Sequence, residues 1–353
     1  MMESEPAMPP SVEPASSSQP PPVPIVASDG QSPAHAFRYD GEGTPLFKLY
    51  LKNILLTILT LGVYQFWAKV AVQKFHYRHT EFFEGRFGYH ATGKEKFVGF
   101  LKGMLVLSPL IGGSAALYFW FREDMAEANA LFISIYAFAF AFAFLRPLVM
   151  VGARRFNLAR TSWSNLRFRF AGTVGDAYRL YLKDYFLIAI TFGIYYSWHL
   201  VNVQRFKFEH TRFGSARFDY TGRGGELFAT NVVGVICSYI TLGIFLPWYL
   251  ASLFRFHTGN TRMEGIWFGC SLTGWQVMKM FLTSLVLIVC TLGLGFPWAI
   301  RLYKKTYTES VSFQGNINLG AIQADFDRKA SAFVEGIGEA GEALAEIGDV
   351  FGA

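Results

Sequence analysis

The stretch TLGVYQFW, residues 60–67, lies inside a long apolar segment and recurs along the chain. A Thr-x-Gly motif followed by Trp, seven residues after the Thr, is found again at residues 191–198, 241–248 and 291–298. The last three copies begin at Thr191, Thr241 and Thr291, and are therefore evenly spaced. A fixed period of about fifty residues indicates internal duplication.

A second motif alternates aromatic and polar residues before a glycine, as in FRYDG at residues 37–41. This alternation predicts a short strand that ends in a turn. Related stretches begin at Phe87, Phe168, Phe218 and Phe268, which gives five overlapping units. Each unit is predicted to hold a strand, an apolar helix, a Thr-x-Gly break and a basic amphipathic helix. The second unit departs from this pattern, because it lacks Thr-x-Gly and carries an additional apolar stretch.

The composition is that of a membrane protein. Apolar residues make up 52% of the chain and charged residues only 16%, against about 25% charged in soluble domains. Each apolar segment is near or above the roughly 20 residues that cross a bilayer as a helix. The segments are 46–68, 97–121, 131–150, 177–200, 227–251 and 276–300. We therefore expect an α-helical polytopic membrane protein with about six hydrophobic helical segments, built from these repeats, with short strand-like motifs between them.

Three regions differ in charge. Residues 1–36 are rich in Pro and Ser, carry −4 and are predicted to be disordered. Residues 321–353 form an acidic, partly helical tail of charge −5, a candidate surface for a protein partner or a second copy of the chain. Because the whole chain carries +6, the transmembrane domain at 37–320 must be strongly basic. Its basic loops favour the lipid bilayer and anionic lipid headgroups as partners, rather than nucleic acid.

Two topologies remain open. Six simple crossings would place alternate basic loops on opposite faces, which conflicts with the preference of Lys and Arg for the cytoplasm. Alternatively, each Thr-x-Gly is the tip of a re-entrant or kinked helix pair that returns to its own side. Only 97–121 and 131–150 would then cross fully, and all basic loops and strands would face the cytoplasm.

The residues that carry polar chemistry are few. Asn53, Lys183, Asp184 and Asn231 form a candidate intramembrane polar site, since polar groups inside a span are functional candidates. His76 and His79 have a spacing that suits a metal, but no third ligand is evident. No catalytic motif is present, so we expect neither an enzyme nor a cofactor nor a metal site. The glycines of the four Thr-x-Gly motifs are interpreted as structural helix breaks: Gly62, Gly193, Gly243 and Gly293.

Residues 60–70, then His79-Thr80, then 87–97 resemble the YjgN-like family of bacterial inner-membrane proteins. The resemblance extends over about residues 37–320. It implies a multi-pass location in the bacterial inner membrane, and no activity, because the function of the family is unknown.

Two classes of function remain. The first is a transporter or channel-like or lipid-handling protein, since repeats and broken helices are common in transporters. The alternative is a non-catalytic membrane scaffold or envelope-organising protein. A polar cavity near Asn53, Asp184 and Asn231 would favour the first class, and a dry, closely packed interior would favour the second.

Overall fold

The structure, a computed structural model, describes residues 35–83, 85–164, 166–315 and residue 322. Within these residues there are ten helices: α1 (Gly43–Leu59), α2 (Gln65–Arg78), α3 (Gly93–Phe121), α4 (Glu127–Ala159), α5 (Val174–Ile190), α6 (Tyr196–Glu209), α7 (Gly224–Ile240), α8 (Leu246–Gly259), α9 (Gly274–Cys290) and α10 (Phe296–Glu309). The same residues hold eleven strands: β1 (His35–Ala36), β2 (Arg38–Tyr39), β3 (Thr80–Phe82), β4 (Gly85–Tyr89), β5 (Thr161–Trp163), β6 (Leu166–Phe170), β7 (Thr211–Phe213), β8 (Ala216–Tyr220), β9 (Thr261–Met263), β10 (Ile266–Cys270) and β11 (Val311–Gly315).

The two predicted tails fall almost wholly outside the described residues. The exceptions are Ile322 in the acidic tail 321–353, and His35–Ala36 in the tail 1–36, which form β1.

The described strands form one antiparallel sheet that nearly closes on itself. Their order is β1-β11-β10-β9-β8-β7-β6-β5-β4-β3-β2. The two end strands, β1 and β2, are separated in the chain by the single residue Phe37. Its backbone N–H donates to the Val311 carbonyl oxygen at 3.2 Å. Because one short segment pairs with β11 on one side and with β3 on the other, the ends of the sheet meet.

Each Thr-x-Gly motif is the turn between two helices that pack against each other. Thr241 caps α7: its hydroxyl donates to the Cys237 carbonyl oxygen at 2.7 Å and accepts from the Phe245 N–H at 3.0 Å. Leu242 and Gly243 have φ of 49° and 90°, and the Gly243 N–H bonds 2.7 Å to the carbonyl five residues before it. This is a Schellman-type helix end. The motif thus ends one helix and starts the next within five residues.

The same turn is present in the other three copies. The hydroxyls of Thr60, Thr191 and Thr291 each donate to the carbonyl four residues before and accept from the N–H four residues after. The glycines that follow them have φ between 90° and 92°.

The expected fold class, an α-helical polytopic protein with about six hydrophobic helical segments, is therefore wrong. Four of the six apolar segments contain a Thr-x-Gly turn, and each is divided into a helix of 17 residues and one of 14. A 17-residue helix rises about 26 Å, less than the roughly 30 Å of a hydrocarbon core. In the described part of the chain, two helices, α3 and α4, are long and apolar enough to cross a membrane. The strand motifs, expected as separate short strands, pair into one sheet.

The tryptophan after each turn joins one helix pair to the next. Its indole packs on the first glycine of the following pair, where an added Cβ would overlap the ring. The contacts are Trp67 on Gly93, Trp198 on Gly224, Trp248 on Gly274 and Trp298 on Gly43. Since Trp298 belongs to the last pair and Gly43 to the first, the helix pairs close into a ring as the strands do.

Candidate functional site

Five phenylalanines form a layer over the apolar core of the sheet. The core consists of Phe82, Trp163, Leu166, Phe213, Ala216, Met263, Ile266 and Phe313. Packed against it, and only partly buried, are Phe37, Phe87, Phe168, Phe218 and Phe268, which we call the phenylalanine layer. The ring centroids of Phe37 and Phe82 are 4.5 Å apart, and those of Phe168 and Phe213 are 4.8 Å apart. Each member of the layer is the residue at which one of the five units begins.

The phenylalanine layer lines a cavity of about 670 Å³, which we call the axial cavity. One wall is a face of α8, whose residues follow helical spacing: Leu250, Leu253, Phe254, His257 and Thr258. Further lining residues come from α4, α6 and α10: Arg154, Gln204, Phe208 and Tyr307. An apolar wall with a few convergent polar groups is typical of sites that bind small molecules.

The polar groups of the axial cavity are basic or neutral. Arg154 lines it, whereas no carboxylate of the described residues does. Beside it, burial lowers the pKa of Lys207 to about 8, and the charge of Arg154 adds to the effect. Burial, with the charge of Lys207, also lowers the pKa of His257, whose Nδ1 lies 2.8 Å from the Tyr220 hydroxyl. The cavity therefore suits an apolar ligand with a polar or anionic end.

The predicted polar-site residues are not brought together. Asp184 is only 1% exposed and accepts hydrogen bonds from His199 Nδ1 at 3.0 Å and Asn202 Nδ2 at 3.2 Å. These bonds join α5 to α6. Its neighbour Lys183 is exposed.

Asn231 joins three helices. Its Nδ2 donates to Ser197 Oγ at 2.9 Å, and its Oδ1 accepts from the Tyr249 hydroxyl at 2.9 Å. Asp184 and Asn231 thus both have partners within the helix packing, and neither lines the axial cavity.

Asn53 differs from these residues. It is 5% exposed, and its Nδ2 has no partner among the described residues. It lines a second cavity of about 670 Å³ between α1, α2 and α10, which we call the lateral cavity. His76 also lines it: the ring Nδ1 is 2.8 Å from the Tyr39 hydroxyl, while the Nδ1 of His79 bonds to the Phe75 carbonyl oxygen. The two histidines therefore have different partners.

The turns of the helix pairs end in exposed apolar side chains. Leu61, Phe192, Leu242 and Leu292 are each 94–98% exposed. They have φ of 49° to 51°, in the left-handed region that favours glycine. Gly62, Gly193, Gly243 and Gly293 follow them in the same turns. We call these four turns the hairpin tips.

The lining of the axial cavity was not predicted from the sequence. The phenylalanine layer was recognised as a recurring position, but only as the start of a strand. Phe stands at the same place in all five units. A strand with one exposed face requires only that its buried face be apolar. The recurrence of one large residue type was therefore a signal of a shared role.

The chain is similar to a family of bacterial proteins and to a small number of named relatives. The model of a bacterial protein family of unknown function, DUF898, matches residues 34–238 and 226–340. Inner membrane protein YjgN of Escherichia coli K12 is 37% identical over 76 residues, 22% of this chain and 19% of that protein. The YjgN of Salmonella typhimurium LT2 is 34% identical over 76 residues, again 22% and 19% of the two chains. No solved structure matches.

The aligned stretch thus spans about a fifth of the length of these relatives. The resemblance to the YjgN-like family is confirmed, and so is the coarser prediction of an inner-membrane protein.

Proposed function

Because the chain belongs to the DUF898 family of bacterial proteins of unknown function, we propose from its geometry that it is a lipid-handling protein of the inner membrane. It holds an amphiphile in the axial cavity while the helix pairs are inserted in the bilayer. The observation that carries this proposal is the cavity lined by the phenylalanine layer.

The hairpin tips support the membrane placement. Four large apolar side chains stand almost fully exposed at the ends of the helix pairs. Leu242 also has a left-handed backbone, which costs a residue other than glycine about 1–2 kcal/mol. A glycine would remove that cost, and the leucine contacts nothing that would offset it within the described protein. Insertion of these side chains in hydrocarbon offsets the cost, since burying one leucine stabilises by about 1.5–3 kcal/mol.

Helix length supports a multi-pass arrangement. The α3–α4 pair crosses the membrane completely, and its connecting residues include the charged Arg122, Glu123 and Asp124. The four shorter pairs enter from the side of the sheet and turn back inside the bilayer. The sheet and its basic flanks then lie on the cytoplasmic side, as basic residues prefer.

The composition of the axial cavity supports a ligand with an alkyl chain. Its walls are largely Phe and Leu, and each buried methylene contributes about 0.8 kcal/mol. A polar solute would leave its own groups without partners against such walls. Arg154, Gln204 and Thr258 offer donors to one polar or anionic end.

A cavity-filling variant tests the proposal. The full chain is purified in dodecyl maltoside and titrated with a fluorescent fatty acid. Leu253→Trp places a large ring in the axial cavity, and we expect binding at least tenfold weaker than in the unmodified chain. Leu285→Trp is the matched control, because Leu285 is exposed on α9 and does not line the cavity.

Equal binding by the two variants would contradict the proposal. If neither variant nor the unmodified chain binds the probe, the alternative of a non-catalytic membrane scaffold is favoured instead.

A further inference from the structure

Two side chains that line the lateral cavity each hold a buried polar group without a partner in the described protein. The Asn53 amide Nδ2 and the His76 ring Nε2 are both inaccessible to solvent and have no hydrogen-bond partner among the described residues. Both residues line the lateral cavity. A buried donor without a partner is unfavourable, and a hydrogen bond to a ligand would remove that cost. The cavity therefore offers hydrogen-bonding groups to a ligand.

The third and fourth units fill the corresponding place. Asp184 is the counterpart of Asn53, since each stands seven residues before the Thr of its turn. Its partners His199 and Asn202 fill the space beside it. In the first unit the positions of these partners are held by Ala68 and Ala71. In the fourth unit the corresponding residue is Gly234, which is covered by the ring of Tyr249. Of these three units, only the first has a polar residue at this position that lacks a partner in the described protein.

The charges around the lateral cavity are all positive. Lys69, Lys96 and Lys304 line it, and no Asp or Glu of the described residues does. Lys96 donates to Gln73, and none of the three lysines has a carboxylate within ion-pair distance in the described part of the chain. Burial, with the positive charge of Lys304, lowers the pKa of His76 to about 4. An anion placed among the three lysines would be attracted by all of them.

We propose that the lateral cavity is a phosphate-binding site, in which Lys69, Lys96 and Lys304 neutralise the anion and the Asn53 amide donates to one of its oxygens. His76 adds a second donor when the Tyr39 hydroxyl donates to Nδ1, because the proton of the neutral ring is then on Nε2. The site goes beyond the proposed function, since the lateral and axial cavities share no lining residue.

The outer rim of the lateral cavity indicates two sources for the phosphate. Ile54 and Ile58 line it and are more than half exposed, so an acyl chain could leave the cavity along them into the bilayer. The phosphate group is therefore carried by a phospholipid or is free inorganic phosphate, and the two sources can be separated by experiment.

The test uses the full chain in dodecyl maltoside micelles, which contain no phosphate. Histidines are labelled with ¹³C, and the ring signal of His76 is assigned with His76→Gln. Phosphatidylglycerol, inorganic phosphate and diacylglycerol are each titrated in. We expect phosphatidylglycerol or inorganic phosphate, or both, to shift the His76 signal and to raise the pKa of that ring, whereas diacylglycerol does neither.

Two variants and one control locate the site. Lys304→Gln is expected to weaken phosphate binding about tenfold, because it removes one of the three positive charges that line the cavity. Asn53→Asp is expected to abolish it, because it puts a carboxylate where the third unit has Asp184. Lys305→Gln is the control, as Lys305 does not line the cavity. Thermal unfolding of each variant reports its folding, and Lys304→Gln alone decides the test if Asn53→Asp does not fold.

A shift with phosphatidylglycerol alone assigns the site to a lipid headgroup, and a shift with inorganic phosphate alone assigns it to the free anion. The proposal is overturned if neither moves the His76 signal, if diacylglycerol moves it equally, or if Lys304→Gln binds as tightly as Lys305→Gln.

Discussion

Asp184→Ala should destabilise the protein because it removes the acceptor of the cluster that joins α5 to α6. The carboxylate is 1% exposed and accepts from His199 Nδ1 and from Asn202 Nδ2. Truncation leaves the His199 donor buried without this partner, whereas Asn202 keeps a weaker contact of 3.4 Å with the Tyr195 hydroxyl. Hydrogen bonds to a charged group contribute about 1.5–3 kcal/mol each. We therefore expect a loss of about 3 kcal/mol in the free energy of unfolding.

The assay is reversible unfolding of the full chain in mixed micelles of dodecyl maltoside and dodecyl sulfate. Lys183→Ala is the matched control, since Lys183 is adjacent and exposed, and exposed substitutions usually change stability by less than about 0.5 kcal/mol. A double-mutant cycle of Asp184→Ala with His199→Ala should give a coupling of about 1–3 kcal/mol. A loss for Asp184→Ala no greater than that for Lys183→Ala would refute the structural role of the cluster.

Two further predictions concern a helix turn and a buried lysine. Gly243→Ala should lower the free energy of unfolding by about 1–3 kcal/mol, because φ is 90° there although open space surrounds the glycine. Gly225 is also in open space but has no such φ, so Gly225→Ala should be neutral or stabilising in the same thermal unfolding assay. Equal effects of the two substitutions would contradict the role of the turn. Burial lowers the pKa of Lys207 from 10.5 to about 8, so between these pH values the unfolded chain binds more protons than the folded one and stability should rise with pH. Lys207→Met should remove that rise in a pH series of unfolding measurements, and an unchanged rise would show that another group causes it.

The helix breaks follow from local chemistry and are visible in the sequence. Thr, an apolar residue and Gly in succession provide a side-chain cap and a residue that adopts positive φ freely, so the turn at Thr241–Gly243 depends on nearby residues alone. Hydropathy averaged over about twenty residues does not detect such a break, so each of these four segments was counted as one helical segment, whereas each is two helices.

The closure of the sheet could not be predicted in the same way. Strands β1 and β11 pair His35 with Phe313, and nothing local to either strand indicates the other. The axial cavity depends on this closure, because it brings Phe37 into one layer with Phe168 and Phe218. Part of the lateral cavity could be predicted from the sequence. The partners of Asp184 in the third unit are replaced by alanines in the first unit. Asn53 could therefore be recognised as lacking such partners.

Cysteine labelling in right-side-out and inverted vesicles tests most directly from which side the helix pairs enter the membrane. In a chain whose three native cysteines, Cys237, Cys270 and Cys290, are replaced by alanine, single cysteines are placed at Ser215 and Glu264, in two turns of the sheet. We predict that a membrane-impermeant maleimide labels both from the cytoplasmic side, labels a cysteine at Asp124 from the opposite side, and labels a cysteine at Leu242 from neither. Labelling of the Ser215 and Glu264 positions from opposite sides, or of the Leu242 position from the side of Asp124, would contradict the account.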